Sequence, residues 1–291
     1  MSEVAAPVAS VLIPLFAFLF VVGSMLAMGF SLTVKLILQS LKNLKIVALS
    51  LAVNFLIIPA VIIGLGTFLP FPEDVRIGFF ILALAAGAPF LPKLAQFAKA
   101  SIAFAVGLMT LLMVATVILL PIVLPFIIPE AAINPLDIAR PLLLLMLFPL
   151  GLALLIRQRY ESFAEHAAKL LNSVTTVSLL ALLFLFFIVY WNPILSTFGT
   201  GTILFSVFFI AFALTAGYLL SAKNPDIKRV SGLGAAQRNI TASILVASVN
   251  FSDKPLVGVT VMVVSLVALV FLMISAGEWG RKKPSHANNL Q

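Results

Sequence analysis

Lys93, in GAPFLPKLAQFAKAS (residues 87–101), and Arg238, in GLGAAQRNITAS (residues 232–243), are cations set inside long apolar runs. At the centre of an inserted helix such a residue costs roughly 2.5–3.5 kcal/mol, so it faces a cavity or a partner and is a functional candidate. A bound anion would give either cation a counter-ion, and Arg238 can grip a carboxylate through two parallel hydrogen bonds. Lys93 can also stand where a metal cation would, or exchange a proton if burial lowers its pKa. Asn54, Gln96, Gln237, Asn239, Thr241 and Ser243 add amides and hydroxyls that can ligate a substrate or a cation. Among these, Asn54 and Gln237 could ligate sodium; no resident metal and no other cofactor is expected. Gln237, Arg238 and Asn239, beside Gly232 and Gly234, form the densest polar cluster in any apolar segment. The stripe Asn172, Ser173, Thr175, Thr176 and Ser178 is expected to pack against a neighbouring helix.

Several chemistries are excluded by what is missing at depth. Cysteine is absent, which removes thiolate nucleophiles and soft metal sites. The two histidines, His166 and His286, lie outside the apolar runs. So do all ten acidic residues: Glu3, Glu73, Asp74, Glu130, Asp137, Glu161, Glu165, Asp226, Asp253 and Glu278. An intramembrane enzyme would need an acid, base or nucleophile that these runs lack, and no pore-lining ring that would mark a channel is legible.

The elements that must position the cations are membrane helices. Of the 291 residues, 62% are hydrophobic and 10% charged, against about 25% charged in a soluble protein. Mean hydropathy is +1.21. The chain is expected to be an all-α integral membrane protein. A window of about 20 residues resolves nine candidate spans, near 8–31, 44–68, 76–98, 101–128, 138–157, 167–190, 198–221, 229–250 and 256–277. Short turns join them: LPFPED, PEAAINP, WNP, KNPD and SDKP. The N-terminus MSEVAAPVAS has no basic n-region, so the first segment is expected to remain in the mature protein.

Charge orients the spans. One set of alternate loops holds Lys35, Lys42, Lys45, Lys99, Arg157, Arg159, Lys169, Lys223, Lys228, Arg229, Arg281, Lys282 and Lys283; the other holds Arg76, Arg140 and Lys254. The positive-inside bias predicts an external N-terminus and a cytoplasmic C-terminus; a bacterial inner membrane is the expected location. The bias also explains the net charge of +8 without a nucleic-acid partner.

Two segments break the pattern. The third is interrupted by Gly87, Pro89, Pro92 and Lys93, the eighth by Gly232, Gly234, Gln237, Arg238 and Asn239. Proline removes an N–H and glycine permits positive φ, so both are expected to be helix breaks. Unwound backbone survives in hydrocarbon only when protein or a wet cavity surrounds it. The two segments lie five apart and run in opposite directions, and each is followed by one more span. Two inverted five-helix repeats, the first lacking its opening helix, would give this arrangement, and paired broken helices point to a transporter binding site.

With AMGFSLT, NFLIIPA, GAPFLPKLAQFAKASIAFAVGLMT and GLGAAQRNITASILVAS, the chain resembles the bile acid:sodium symporter family, within the group that also holds auxin and arsenite carriers. The resemblance runs over most of the chain. It implies a panel (1–34 and 135–192) rocking against a core (42–130 and 197–278), with 279–291 as a cytoplasmic tail and the third and eighth segments crossing at their breaks. It further implies two sodium sites. The positions of the first fall on Leu91, Pro92, Ala105 and Met109, none with a useful side-chain oxygen. The glutamate of the second aligns near Leu233 or Gly234, which leaves Asn54 and Gln237 or Asn239 as surviving amides. The expectation is therefore a secondary transporter of a small organic anion, bile-acid-like or another carboxylate. In it Lys93 and Arg238 supply fixed positive charge where relatives bind sodium. Sodium-dependent symport of the ordinary family type is one alternative and an intramembrane enzyme or a channel is another, from a different class; arsenite is disfavoured for want of a soft ligand.

Overall fold

A computed structural model describes residues 5–33, 35, 43–129, 133–192, 195, 199–221 and 223–281, with side chains in the first helix described from Val11 onward. Glu3, Lys42, Glu130, Lys282, Lys283, His286 and the tail beyond 281 lie outside the described residues. What is described is helical, without strands.

Among the described residues, seven helices are long and apolar enough to cross a membrane. They are α1 (Ala5–Ser31), α2 (Leu44–Phe68), α5 (Ile102–Ile127), α6 (Pro135–Arg159), α7 (Glu161–Val189), α8 (Thr202–Leu219) and α11 (Pro255–Arg281). The other two of the nine expected segments are each a pair of short helices. The third divides into α3 (Glu73–Leu84) and α4 (Leu91–Phe97), and the eighth into α9 (Pro225–Ala236) and α10 (Ile240–Asn250). None of the four reaches the roughly 20 residues that a straight span requires.

α1, α6 and α7 pack on one another and form one layer. The remaining helices form the other, with α3 against α2, α5 and α11, and α9 against α8, α4 and α5. α10 packs on α3 and α11 and also touches α1 and α6, and α5 packs on the first half of α6, so both meet the two layers. Phe79, Ile81, Leu82, Leu84, Leu91 and Leu94 on the broken segment are almost fully buried. Outward faces are apolar as well: Ile118, Ile122 and Phe126 on α5, Leu144, Phe148 and Leu155 on α6, and Leu180, Phe184 and Phe187 on α7 are all exposed. A surface of this kind is stable against lipid and unstable against water.

The helix starts follow their caps. Asn43 accepts from the Ile46 N–H, Ser101 from Phe104, Asn134 from Leu136 and Asn224 from Asp226. Within α2 the turn Val53–Ile57 is a π-turn, and α6 repeats the pattern at Leu143–Leu147. Each is followed at the second residue by a proline, Pro59 and Pro149. The ring has no N–H and clashes with the carbonyl one turn earlier, and widening the helix by one residue relieves it.

The predicted breaks are correct in place only in part. In the first, Ala85 is extended (φ −95°, ψ 106°), Gly87 has φ +80°, and Pro89 lies in the turn before α4. Pro92, expected as a breaker, instead sits in the first turn of α4, where its missing N–H costs nothing. Gly232 and Gly234 are also not breaks, because both lie inside α9. They are small because neighbours crowd them: a Cβ on Gly232 would fall 2.9 Å from the Leu214 carbonyl oxygen, and one on Gly234 2.9 Å from Leu91 Cδ2. The second break is Gln237–Asn239, entered by an extended Gln237 (φ −80°, ψ 99°).

Gly87 has two reasons to be glycine. Its φ is positive, and a Cβ would strike the Met113 nitrogen and lie 2.6 Å from the Met109 carbonyl oxygen, both backbone atoms of α5. Strain of this kind costs about 1–3 kcal/mol, and overpacking adds about 1–3 kcal/mol. Gly87→Ala is expected to lower the melting temperature in detergent markedly. Gly151→Ala, where the added methyl meets nothing within 4 Å, is expected to leave it unchanged or slightly raised. Equal melting of the two variants would show that the close approach at Gly87 is not made.

Candidate functional site

The two breaks meet, and residues of the second satisfy the carbonyls that the first leaves open. The Asn239 backbone N–H donates to the Ala85 oxygen at 3.0 Å. Asn239 Nδ2 lies 3.2 Å from both the Ala86 and Gly87 oxygens, and its Oδ1 accepts from the Ala242 N–H at 3.1 Å, which caps α10. From α5, Thr116 Oγ1 accepts from the Ala86 N–H at 2.8 Å and donates to the Ala86 oxygen at 2.9 Å. Asn239 and Thr116 are completely buried. Asn239, expected as a neutral ligand for substrate or cation, therefore spends its amide on the fold.

Arg238 completes the closure. Nε donates to the Leu82 oxygen at 2.8 Å, Nη1 to Asn54 Oδ1 at 2.9 Å and the Ala235 oxygen at 3.0 Å. Nη2 donates to the Ala83 oxygen at 2.7 Å and reaches the Asn54 carbonyl oxygen at 3.5 Å. All five guanidinium N–H groups are thus directed at protein oxygens, and the residue is 5% exposed. The expected bidentate grip on a carboxylate is not available in this arrangement, because no donor is left. Asn54 is likewise committed: its Nδ2 donates to the Ser50 oxygen at 2.9 Å while its two oxygens face Arg238.

Beside this closure a cleft of about 740 Å³ opens between the layers. Its walls come from α1, α4, α5, α7, α10 and α11, with Leu82 of α3, Ile210 of α8 and both breaks contributing, and are mostly apolar, with Phe20, Met28, Phe90, Met109 and Leu272 among them. It runs from the breaks toward the end of the molecule that carries Lys99, Arg157, Arg229 and Arg281. Lys93 and Gln96 line it from α4, and both are exposed to it. Lys93 Nζ lies 5.4 Å from the centre of the Phe97 ring, and no carboxylate among the described residues lines the cleft. Gln237 and Thr241 border it from the second break, and Gln237 Oε1 and Thr241 Oγ1 are buried without a hydrogen-bond partner. Ser243 points elsewhere, donating to the Asn239 oxygen at 2.9 Å.

The predicted residues thus separate into two groups. Asn54, Arg238 and Asn239 hold the breaks together, while Lys93, Gln96, Gln237 and Thr241 face the cleft, which Arg238 also borders. The stripe on α7 was expected to pack, and partly does: a Cβ on Gly23 of α1 would lie 3.0 Å from Thr175 Oγ1, and Ser178 is buried. Asn172, Thr175 and Thr176 nonetheless also line the cleft, opposite Lys93's helix. Thr116 had escaped notice. A lone threonine within an apolar helix carries no signal beyond its polarity, and its partner lies 30 residues away.

Broken helices that meet at their breaks beside an interlayer cleft are a feature of many membrane transporters. The chain matches the sodium bile acid symporter family over residues 16–199, more than half of its length, and it belongs to that family. No curated protein sequence matches it significantly.

Thr116 gives a direct test of the closure. Thr116→Val keeps the shape but leaves the buried Ala86 N–H without a partner, at about 1–3 kcal/mol. A lower melting temperature is expected for Thr116→Val, and near wild-type melting for Thr116→Ser. If valine were tolerated as well as serine, the hydroxyl would not be needed at the break.

Proposed function

We propose that this chain is a secondary transporter that carries a small organic anion with a substantial apolar body, by alternating exposure of the interlayer cleft. The observation that supports it best is Lys93: a cation without an ion-pair partner among the described residues, exposed in a cleft whose walls are apolar and which holds no carboxylate. Lysine would receive the carboxylate as a point charge, its stem covered by the cleft wall. Gln96, Asn172, Thr176, Gln237 and Thr241 would orient the polar remainder, and the apolar walls would take the hydrocarbon. A volume of about 740 Å³ falls in the range of pockets that enclose drug-sized molecules. That favours an amphipathic acid of bile-acid type over the smallest carboxylates.

In this reading α1, α6 and α7 are the panel and the remaining helices the core, and the nine sequence segments all cross the bilayer, two of them in halves. The inverted repeat is supported by the opposite directions of the two broken segments and by their meeting at the breaks. The basic end would be cytoplasmic by the positive-inside rule, so the cleft described here would be the inward-facing state.

Ligand binding to the folded state raises apparent melting by mass action. A panel of amphipathic carboxylates, each paired with its neutral amide, tests the reading on purified protein. The acids are expected to raise the melting temperature saturably and the amides not. Lys93→Gln is expected to weaken the acid at least about tenfold, or about 1.4 kcal/mol, and to slow its uptake into proteoliposomes. Equal shifts by acid and amide, or an unaltered affinity in Lys93→Gln, would count against Lys93 as the anion site.

A further inference from the structure

The oxygens around Arg238 form a cation site of general type. Five acceptors converge on it, namely the carbonyl oxygens of Leu82, Ala83, Ala235 and Asn54 and the amide oxygen of Asn54. They come from three separate elements. Leu82 and Ala83 are in the last turn of α3, and Ala235 is in the last turn of α9. Helix C-termini carry partial negative charge, and two of them point at one place. Asn54 belongs to the π-turn of α2, where the backbone departs from ordinary helix. Half-helix C-termini and unwound carbonyls are what bind small monovalent cations in transporters with broken helices.

We propose that the Arg238 guanidinium is a tethered cation occupying this site, so that the core is held in its ion-bound arrangement without sodium and transport does not draw on sodium there. The geometry is specific to a guanidinium: five fixed donors meet five oxygens, and no carboxylate takes part. A free ion joins the breaks only while it is bound. The covalent one joins them always and cannot dissociate into either compartment, so it carries no gradient. Asn54 and the α3 terminus therefore contribute structure and fixed charge, whereas an exchangeable ion would make them contribute coupling. The transport consequence rests on the function proposed above, while the binding consequence does not.

Removing the side chain should leave a hole shaped for a guanidinium, and that is the test. Wild-type protein is expected to melt within about 1 °C of the same temperature in sodium, potassium or choline chloride. Arg238→Ala is expected to melt at least about 5 °C lower. Methylguanidinium at low concentration should return a saturable part of that loss in the variant and none in wild type. A sodium-selective, saturable rise in wild type would overturn the proposal, as would a folded Arg238→Ala that gains nothing from methylguanidinium. If the variant cannot be purified, the wild-type salt comparison decides alone. Uptake of an anion that stabilises the protein, measured with sodium or choline outside, is expected to be equal. A requirement for sodium refutes the tethered-cation proposal, whereas no uptake in either salt refutes the transport reading and leaves the melting result standing.

Discussion

Backbone carbonyls at membrane depth must find donors, and here two consecutive residues supply most of them. The break between α3 and α4 leaves the oxygens of Ala83, Ala85, Ala86 and Gly87 without a helix partner, and that of Leu82 with only a 3.2 Å bond from the Ala85 N–H at the fraying end of α3. In hydrocarbon each would cost several kcal/mol if left alone. Arg238 takes those of Leu82 and Ala83 and Asn239 the other three, with Thr116 sharing Ala86. The side chains suit the task because arginine has five donors on a rigid fork and asparagine has two donors beside an acceptor. That acceptor is used at once to cap α10. One break is therefore stable only because the other is present, which ties residues 150 positions apart into a single unit.

The two buried cations of the sequence acquire opposite roles from this constraint. Arg238 is 5% exposed at the edge of the cleft, with every donor engaged by protein oxygens, and presents its charge there rather than a free hydrogen bond. Lys93 projects into the cleft from the first turn of the helix after the other break, with its ammonium 5.4 Å from the centre of the Phe97 ring. An exchange of the two would fail at both places. A lysine ammonium has three donors and could not reach five oxygens, and an arginine in the cleft would present a wide plane where a point charge suffices.

Much of this was legible beforehand, and what was not has identifiable causes. The apolar runs fixed the helices to within a few residues, because membrane length is a strong constraint. Gly87 and Pro89 marked the first break correctly, since positive φ and a missing N–H leave few alternatives. Gly232 and Gly234 misled, because glycine serves close packing as readily as it serves unwinding. Gly232 lies against α8 at Leu214 and Tyr218, a contact with no local trace. The resemblance placed Asn54 and the Gln237–Asn239 triplet near an ion site, but it gave no distances. Only geometry shows that Arg238 spends its donors inward while Gln237 Oε1 remains unpaired beside the cleft.

The distribution of polar contacts also says where the molecule can move. Every side-chain hydrogen bond named above joins residues of the same layer, and so do the ion pair of Lys254 with Glu73 and the contact of Arg157 with the Phe30 carbonyl. Between the layers, α10 meets α1 and α6, and α5 meets the first half of α6, through side chains that are largely apolar. Directional bonds resist displacement and apolar contacts tolerate sliding, so layers of this kind shift as bodies by small adjustments at their interface. Hinging at the breaks would instead expose the carbonyls that Arg238 and Asn239 cover. On the transporter reading, then, the breaks are the rigid part and the cleft wall formed by α1 and α7 is the part that travels. That motion would carry Asn172 and Thr176 past a Lys93 that stays in place.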